Sequence, residues 1–291
     1  MNRTDPAAEP DPIGHVLACL DLTRVDEDTF TGWSIPQVHG RVYGGQVLAQ
    51  SLIAAAATTP AERRPHSVHG YFLRPGDLQE PITFAVERMR DGRSFSARRT
   101  HAIQFGKPIL SMISSFQENQ SGAEHAMAAP QVPGPEELES SVELFRSIDH
   151  PVAEHFYRHA AFDLRHVEGN VFLEPARQRQ PAQHLWMRTR GPVPGNQAHQ
   201  RAMLAYACDQ VLLEPVLRRH GLGWRSPGVS IASLDHAMWW HRDVDVSQWL
   251  LYSQASPSAQ GGRGLGTAQV FTEAGELVAT IAQEGMIRGG T

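Results

Sequence analysis

Three polar side chains stand at positions where this sequence otherwise reads as core. Asp209 falls within Gln200 to Arg219, a stretch that reads as one helix. Ala205, Cys208, Leu212 and Val216 recur at helical spacing and share a face. At about 100° per residue, Asp209 lies inside that apolar stripe, while Glu214 and Arg218 point away. A buried carboxylate is costly unless it has partners. Asp209 is therefore either a structural acid hydrogen-bonded to backbone or a carboxylate kept for general-base or water-orienting work. Its candidate partners are Ser233, in Ile231-Ala232-Ser233-Leu234-Asp235-His236, and Gln283, which interrupts the apolar run Leu277 to Ile287. Each alone is an ordinary hydrogen-bonded strand residue. Together, the hydroxyl and the amide can orient a water or polarise a carbonyl while the carboxylate accepts a proton.

Rival chemistries find less support. No G-x-S-x-G occurs; the nearest pattern, Gly228-Val229-Ser230-Ile231-Ala232, lacks the last glycine. His66 with His69, and His236 with His241 and Asp235, lack the H-E-x-x-H helix spacing of a zinc site. Residues 66 and 69 of a strand point to opposite faces. Neither a dinucleotide glycine motif nor a P-loop is found. Arg93, Arg98 and Arg99 are either phosphate holders or a solvated strand face. Trp239, Trp240 and Trp249 are either pocket walls or core. Gly44-Gly45, at a helix start, suits an oxyanion or phosphate, or simply close packing of helix on sheet.

These side chains need a scaffold. The chain has 291 residues, 41% of them hydrophobic and 20% charged, enough for one large domain or two ordinary ones. A formal net charge of -5 argues against nucleic-acid backbone binding. Cys19 and Cys208 are far apart and form no CxxC. No apolar run approaches the length of a membrane span, and the polar, Pro-rich start is unlike a signal peptide. The expectation is a soluble, cytoplasmic protein.

Residues 1–12 read as a flexible tail, followed by a short helix from Ile13 to Leu20. A strand at Phe30 to Ile35 and a helix at Gln46 to Thr58 come next. Strands follow at Ser67 to Leu73, Ile82 to Met89, Ser94 to Gln104 and Ile109 to Phe116, with Asp91-Gly92 as a hairpin signal. Pro130, Pro133 and Pro135 mark a linker over 119–155, with a short helix near Glu136 to Ile148. The second half repeats this order: strands at His184 to Thr189, Val229 to Trp240, Leu250 to Ala255, Leu265 to Thr272 and Leu277 to Ile287, with the Asp209 helix after the first. Placing Gly45 on Asp209 and His69 on His236 gives a near-constant offset, which indicates duplication. The counterparts of Asp209, Ser233 and Gln283 are then Gly45, His66 and Ser115, so the acid is confined to the second copy. A helix and sequential strands, twice, predict an α+β fold of two antiparallel sheets, each wrapped around a long helix and able to pair edge to edge.

Several segments carry a family resemblance: Arg41-Val42-Tyr43-Gly44-Gly45-Gln46, Tyr71-Phe72-Leu73-Arg74-Pro75-Gly76-Asp77, and Arg90-Asp91-Gly92-Arg93-Ser94-Phe95-Ser96-Ala97-Arg98-Arg99. Leu234-Asp235-His236-Ala237-Met238-Trp239 and Gln283-Glu284-Gly285 do so in the second half. The sequence resembles the acyl-CoA thioesterase II family of double-hotdog proteins from about Ile13 to Arg288. The resemblance implies an N-terminal hotdog over 13–118 and a C-terminal hotdog with the catalytic residues over 156–291. It implies hydrolysis of acyl-CoA to fatty acid and CoA without metal or cofactor, by an Asp–Thr–Gln set that falls on Asp209, Ser233 and Gln283. Serine in place of threonine keeps the hydroxyl and loses a methyl. The implied partner is the acyl-CoA substrate, with homo-oligomers compatible. A non-hydrolytic acyl-CoA-binding or sensing protein on the same fold is the alternative function.

Overall fold

A computed structural model describes residues 11–37, 40–172 and 174–289. The expected tail lies outside these residues up to position 10. Asp11 then caps α1 (Pro12–Leu20), accepting from the Gly14 amide, with Pro12 in the first turn where its missing N–H costs nothing. β1 (Thr23–Asp26) and β2 (Thr29–Gly32) precede α2 (Gly44–Ala56). β3 (Arg64–Phe72), β4 (Ile82–Asp91), β5 (Phe95–Gln104) and β6 (Lys107–Gln117) complete the first half. α3 (Ser141–Arg146) and α4 (Pro151–His159) lead into β7 (Phe162–His166) and β8 (Ala182–Thr189). α5 (Gln197–Cys208) and α6 (Glu214–His220) follow. β9 (Ser230–Ser233), β10 (Asp235–Trp240), β11 (Leu250–Gln260), β12 (Arg263–Thr272) and β13 (Leu277–Arg288) end the chain. Among the described residues, no helix is long and apolar enough to cross a membrane.

The chain is α+β, as the segment order predicts, and its strands form one continuous antiparallel sheet. Its order is β1-β2-β4-β5-β6-β3-β10-β13-β12-β11-β8-β7, with β9 also on β13. The halves join at β3 and β10, where Gly70 faces His236 and Val68 faces Met238. Alternation sets the faces: Ser96, Arg98, Thr100, Ala102 and Gln104 of β5 are all buried. α2 lies on β3 to β6 and beside α5, and Val47, Leu48, Leu52, Met203, Leu204 and Ala207 from these helices enter one core.

The expected helix from Gln200 to Arg219 is broken. α5 ends at Cys208, residues 209–213 turn, and α6 starts at Glu214. Pro215 explains the break: in a continuous helix its ring would meet the carbonyl of residue 211 and its nitrogen could donate nothing. The turn rephases α6, so Glu214 and Arg218, expected to point away, are buried. Glu214 accepts from Gln183 at 2.7 Å, Trp224 at 3.0 Å and His166 at 3.0 Å.

The repeat also needs a shift of one residue. On β3 the inward positions are Val68 and Gly70, while His69 is exposed. His236 is buried, so its structural counterpart is an inward residue rather than His69. Likewise Ser114 is buried, whereas Ser115 shares the outer face with His66, 2.9 Å away. A register shift between Pro65 and Ser67 is what a linear match cannot follow.

The linker is a strap. Ala129, Val132 and Leu138 cover Trp186, Trp249, Leu251 and Phe271 on the sheet face opposite the helices. The Trp186 indole donates to the Pro133 carbonyl at 2.9 Å. α4 runs across position 155, where the linker was expected to end.

Candidate active site

Asp209 caps the C-terminal end of α5. Three close approaches hold it there. On β12 and β13, Gly264, Gly266 and Gly285 face the segment 212–216. A Cβ on Gly266 would lie 2.0 Å from the Leu212 carbonyl oxygen, and one on Gly285 2.3 Å from Leu213. Only bare backbone lets the turn press so closely onto the sheet. On the other side α2 begins. A Cβ on Gly45 would lie 2.4 Å from the Tyr206 carbonyl oxygen, and one on Gly44 2.8 Å from Asp209 Oδ2. Tyr43 fastens the joint by donating to the Tyr206 carbonyl at 2.6 Å. Burial, then the Asp209 charge, holds the Tyr43 phenol well above its ordinary pKa, so it remains a donor.

The carboxylate is met from three elements. Gly45 N–H donates to Oδ2 at 2.8 Å. Ser233, the last residue of β9, donates to Oδ1 at 2.9 Å. Gln283 of β13 donates through Nε2 to Oδ1 at 2.9 Å and to Ser233 Oγ at 2.8 Å. His236 of β10 lies behind the amide, its Nδ1 2.6 Å from Gln283 Oε1. Burial depresses the His236 pKa, favouring the neutral ring. The start of α2 also brings the positive end of a helix dipole to the carboxylate.

The backbone delivers Ser233 through a break in the expected strand from Val229 to Trp240. Leu234 separates β9 from β10, and its carbonyl accepts from Phe72 N–H at 2.9 Å. Asp235 accepts from Glu284 N–H at 2.7 Å, which gives it a structural task at the break. Ser233 thus comes opposite Gly285, while Gln283 lies opposite Gly266. The three residues singled out by type are therefore one hydrogen-bonded cluster.

Known proteins match along this same frame. The acyl-CoA thioesterase N-terminal domain profile covers residues 32–117 and the corresponding C-terminal domain profile covers 127–287. Acyl-CoA thioesterase 2 of Haemophilus influenzae is 36% identical, over 96% of this chain and 98% of its own. The chain belongs to the acyl-CoA thioesterase II family. Human acyl-coenzyme A thioesterase 8 is 35% identical over 94% of this chain and 88% of its own. The crystal structure of an acyl-CoA thioesterase II from Mycobacterium marinum is 38% identical, with a TM-score of 0.78 over 94% of this chain and 97% of that one. A hot dog fold protein of unknown function from Alicyclobacillus acidocaldarius superposes at TM-score 0.77 with 18% identity, covering 94% and 98% of the two chains, which supports the fold.

Within this family member, other singled-out residues lie elsewhere. Arg98 is buried, held by Thr58 Oγ1 at 2.9 Å and Asp91 at 2.8 Å, so it is structural. Arg99 pairs with Glu87 on the surface. Trp249 sits under the strap, Trp240 is in the core, and Trp239 stacks edgewise on His69 at 5.0 Å on the outer face. The Gly45 N–H is engaged by Asp209, so close packing and carboxylate binding both explain this glycine pair. Among the described residues, no group of three or more His, Cys, Asp or Glu side chains is placed to hold a metal ion. An apolar cavity of about 400 Å³ opens at the far end of α2, lined by Leu20, Ile53, Ala57 and His199. Along the helix its lining residues Ile53 and Ala57 lie about 12 and about 18 Å from Gly45. Sequence reasoning missed two members of the cluster's surroundings, His236 and the Gly45 amide. The histidine was weighed as a metal ligand or an ordinary core or surface residue, and the glycine as an oxyanion or phosphate donor or a close-packing residue.

Proposed function

We propose that this chain hydrolyses acyl-CoA to a free fatty acid and CoA, using a water activated by Asp209, Ser233 and Gln283. The observation that carries the reading is the convergence of the Ser233 hydroxyl and the Gln283 amide on one Asp209 oxygen. Relatives with this sequence framework are named acyl-CoA thioesterases over nearly their whole length. We read the chain as two hotdog units, 13–118 and 156–291, each contributing its part of the sheet. The second holds all three side chains, and the first supplies Gly44 and Gly45.

A carboxylate offers about four acceptor positions. Ser233 and Gln283 occupy two on Oδ1, and Gly45 N–H one on Oδ2. The remaining position on Oδ2 suits the water, beside Gly44, where a side chain would intrude. Asp209 takes a proton from the water as its oxygen attacks the thioester carbonyl carbon. The tetrahedral species collapses, the C–S bond breaks, and the CoA sulfur leaves with the proton returned from Asp209. Acyl-CoA and water thus give fatty acid and CoA thiol. The α2 N-terminus favours the negative charge that develops on the carbonyl oxygen.

Thiol release from acyl-CoAs of graded chain length tests the reading. Cys19 and Cys208 are buried. Burial pushes the Cys19 thiol up to about 12, so the enzyme's own thiols stay silent. Catalytic release by the wild type, abolished in Asp209→Asn, is the expected result. Tight acyl-CoA binding without release by the wild type would instead mark a binding protein.

A further inference from the structure

The orientation of the Gln283 amide is set by chemistry. Its Nε2 faces Asp209 Oδ1 at 2.9 Å and Ser233 Oγ at 2.8 Å. Turned the other way, its oxygen would face the carboxylate, acceptor against acceptor. Held this way, Oε1 faces His236 Nδ1 at 2.6 Å. A carbonyl oxygen only accepts, so Nδ1 must carry the proton. His236 Nε2 is buried and has no hydrogen-bond partner among the described residues, which fits a bare lone pair better than an orphaned N–H. The residue opposite His236 on β3 is Gly70, which presents no side chain to it.

We propose that His236 is a positioning residue for hydrolysis, donating Nδ1–H to Gln283 Oε1 and so locking the amide toward Asp209 and Ser233. This rests on the reading of Asp209, Ser233 and Gln283 as the water-activating set. The donors form one directed chain: His236 to Gln283, Gln283 to Ser233 and Asp209, Ser233 to Asp209. Without the imidazole, Gln283 Oε1 is a fully buried acceptor with no donor. The amide then loses the contact that fixes its rotation, and its N–H is held less firmly on the carboxylate. His236 itself touches no substrate atom and exchanges no proton during turnover.

Two variants and one measurement on the wild type test this. His236→Leu removes the donor at similar size. His236→Asn places an amide nitrogen near the position of Nδ1. His236→Leu should lower kcat about 10- to 100-fold, with KM for acyl-CoA within about threefold of wild type. His236→Asn should recover kcat to within about fivefold. In a Gln283→Ala background, His236→Leu should cause no further loss, since its effect runs through that amide. Nitrogen-15 NMR of the wild type at neutral pH should show one ring protonated at Nδ1 and bare at Nε2, and that signal should vanish in His236→Asn. The proposal is overturned by an Nε2-protonated ring, by wild-type kcat in folded His236→Leu, or by equal damage from Asn and Leu. It is also overturned by additive losses in the Gln283→Ala background. If His236→Leu does not fold, the tautomer and the asparagine variant decide. Wild-type turnover in Asp209→Asn would sink the underlying reading while leaving the tautomer result intact.

Discussion

The Gly45 amide donates to Asp209 Oδ2 at 2.8 Å, so the acid of one half is seated on the helix start of the other. The expected repeat aligns these two positions. Folding makes them partners. The second half carries the carboxylate at the junction, and the first carries the bare backbone that lets it fit.

Glycines 44 and 45 should fail differently. Gly45→Ala drives a Cβ into a backbone oxygen, whereas Gly44→Ala meets the carboxylate and the Phe72 ring. Overpacking of this kind costs about 1–3 kcal/mol. Gly45→Ala should therefore lower the melting temperature. Gly44→Ala should lose more activity than stability, because the atom it displaces is Oδ2. Paired melting curves and kcat values check both.

Ser233 should matter through its hydroxyl alone. Ser233→Ala removes a donor to Asp209 and should cut kcat about 10- to 100-fold. Ser233→Thr restores the family pattern, keeps the hydroxyl and narrows its rotamers, and should match or exceed wild type. A threonine variant as slow as the alanine variant would show that this position does not work through its oxygen.

Glu214 should govern acid stability. Burial works to raise its pKa, but His166, Trp224 and Gln183 outweigh that and hold it below the ordinary glutamate value. A group depressed in the folded state contributes fully above its unfolded pKa, about 4.3, and loses that contribution as pH falls through the folded value. Wild type should lose stability below about pH 4 more steeply than Glu214→Gln. Glu214→Ala, which leaves Arg218 and its neighbours without the carboxylate, should cost about 3–5 kcal/mol at neutral pH. Urea melts over a pH series measure both effects.

The strap should be part of the fold. Val132→Asp places a charge against the Trp186 cluster. It should lower the unfolding midpoint and shift tryptophan emission to the red, while kcat of the folded fraction stays near wild type.

Much of this was legible in the sequence because burial alternates cleanly. β5 and β6 and the turn at Asp91-Gly92 follow from alternation and a turn dipeptide. Asp209, Ser233 and Gln283 were legible because each is a polar residue in an apolar run. The helix break was legible too, at Pro215, but the apolar stripe of Cys208, Leu212 and Val216 runs across it and masks it. The repeat register was not legible. An offset error of one residue puts His69, an outward residue, on the inward His236, and only pairing across β3 and β10 exposes the error. The strap was not legible because Ala129, Val132 and Leu138 have no periodicity of their own. Their order comes from the tryptophans they cover. The Gly45 amide joins the cluster only when the two halves meet, and His236 only when β10 pairs with β13.

The central claim is that Asp209 activates the attacking water. Steady-state thiol release by Asp209→Asn tests it most directly, alongside acyl-CoA binding and a melting curve to show that the variant is folded and loaded. Asparagine keeps an oxygen for Ser233 and Gln283 but cannot accept the proton. The account predicts that kcat falls about 100- to 10,000-fold with binding little changed. A folded, substrate-binding variant with kcat within about threefold of wild type would contradict it.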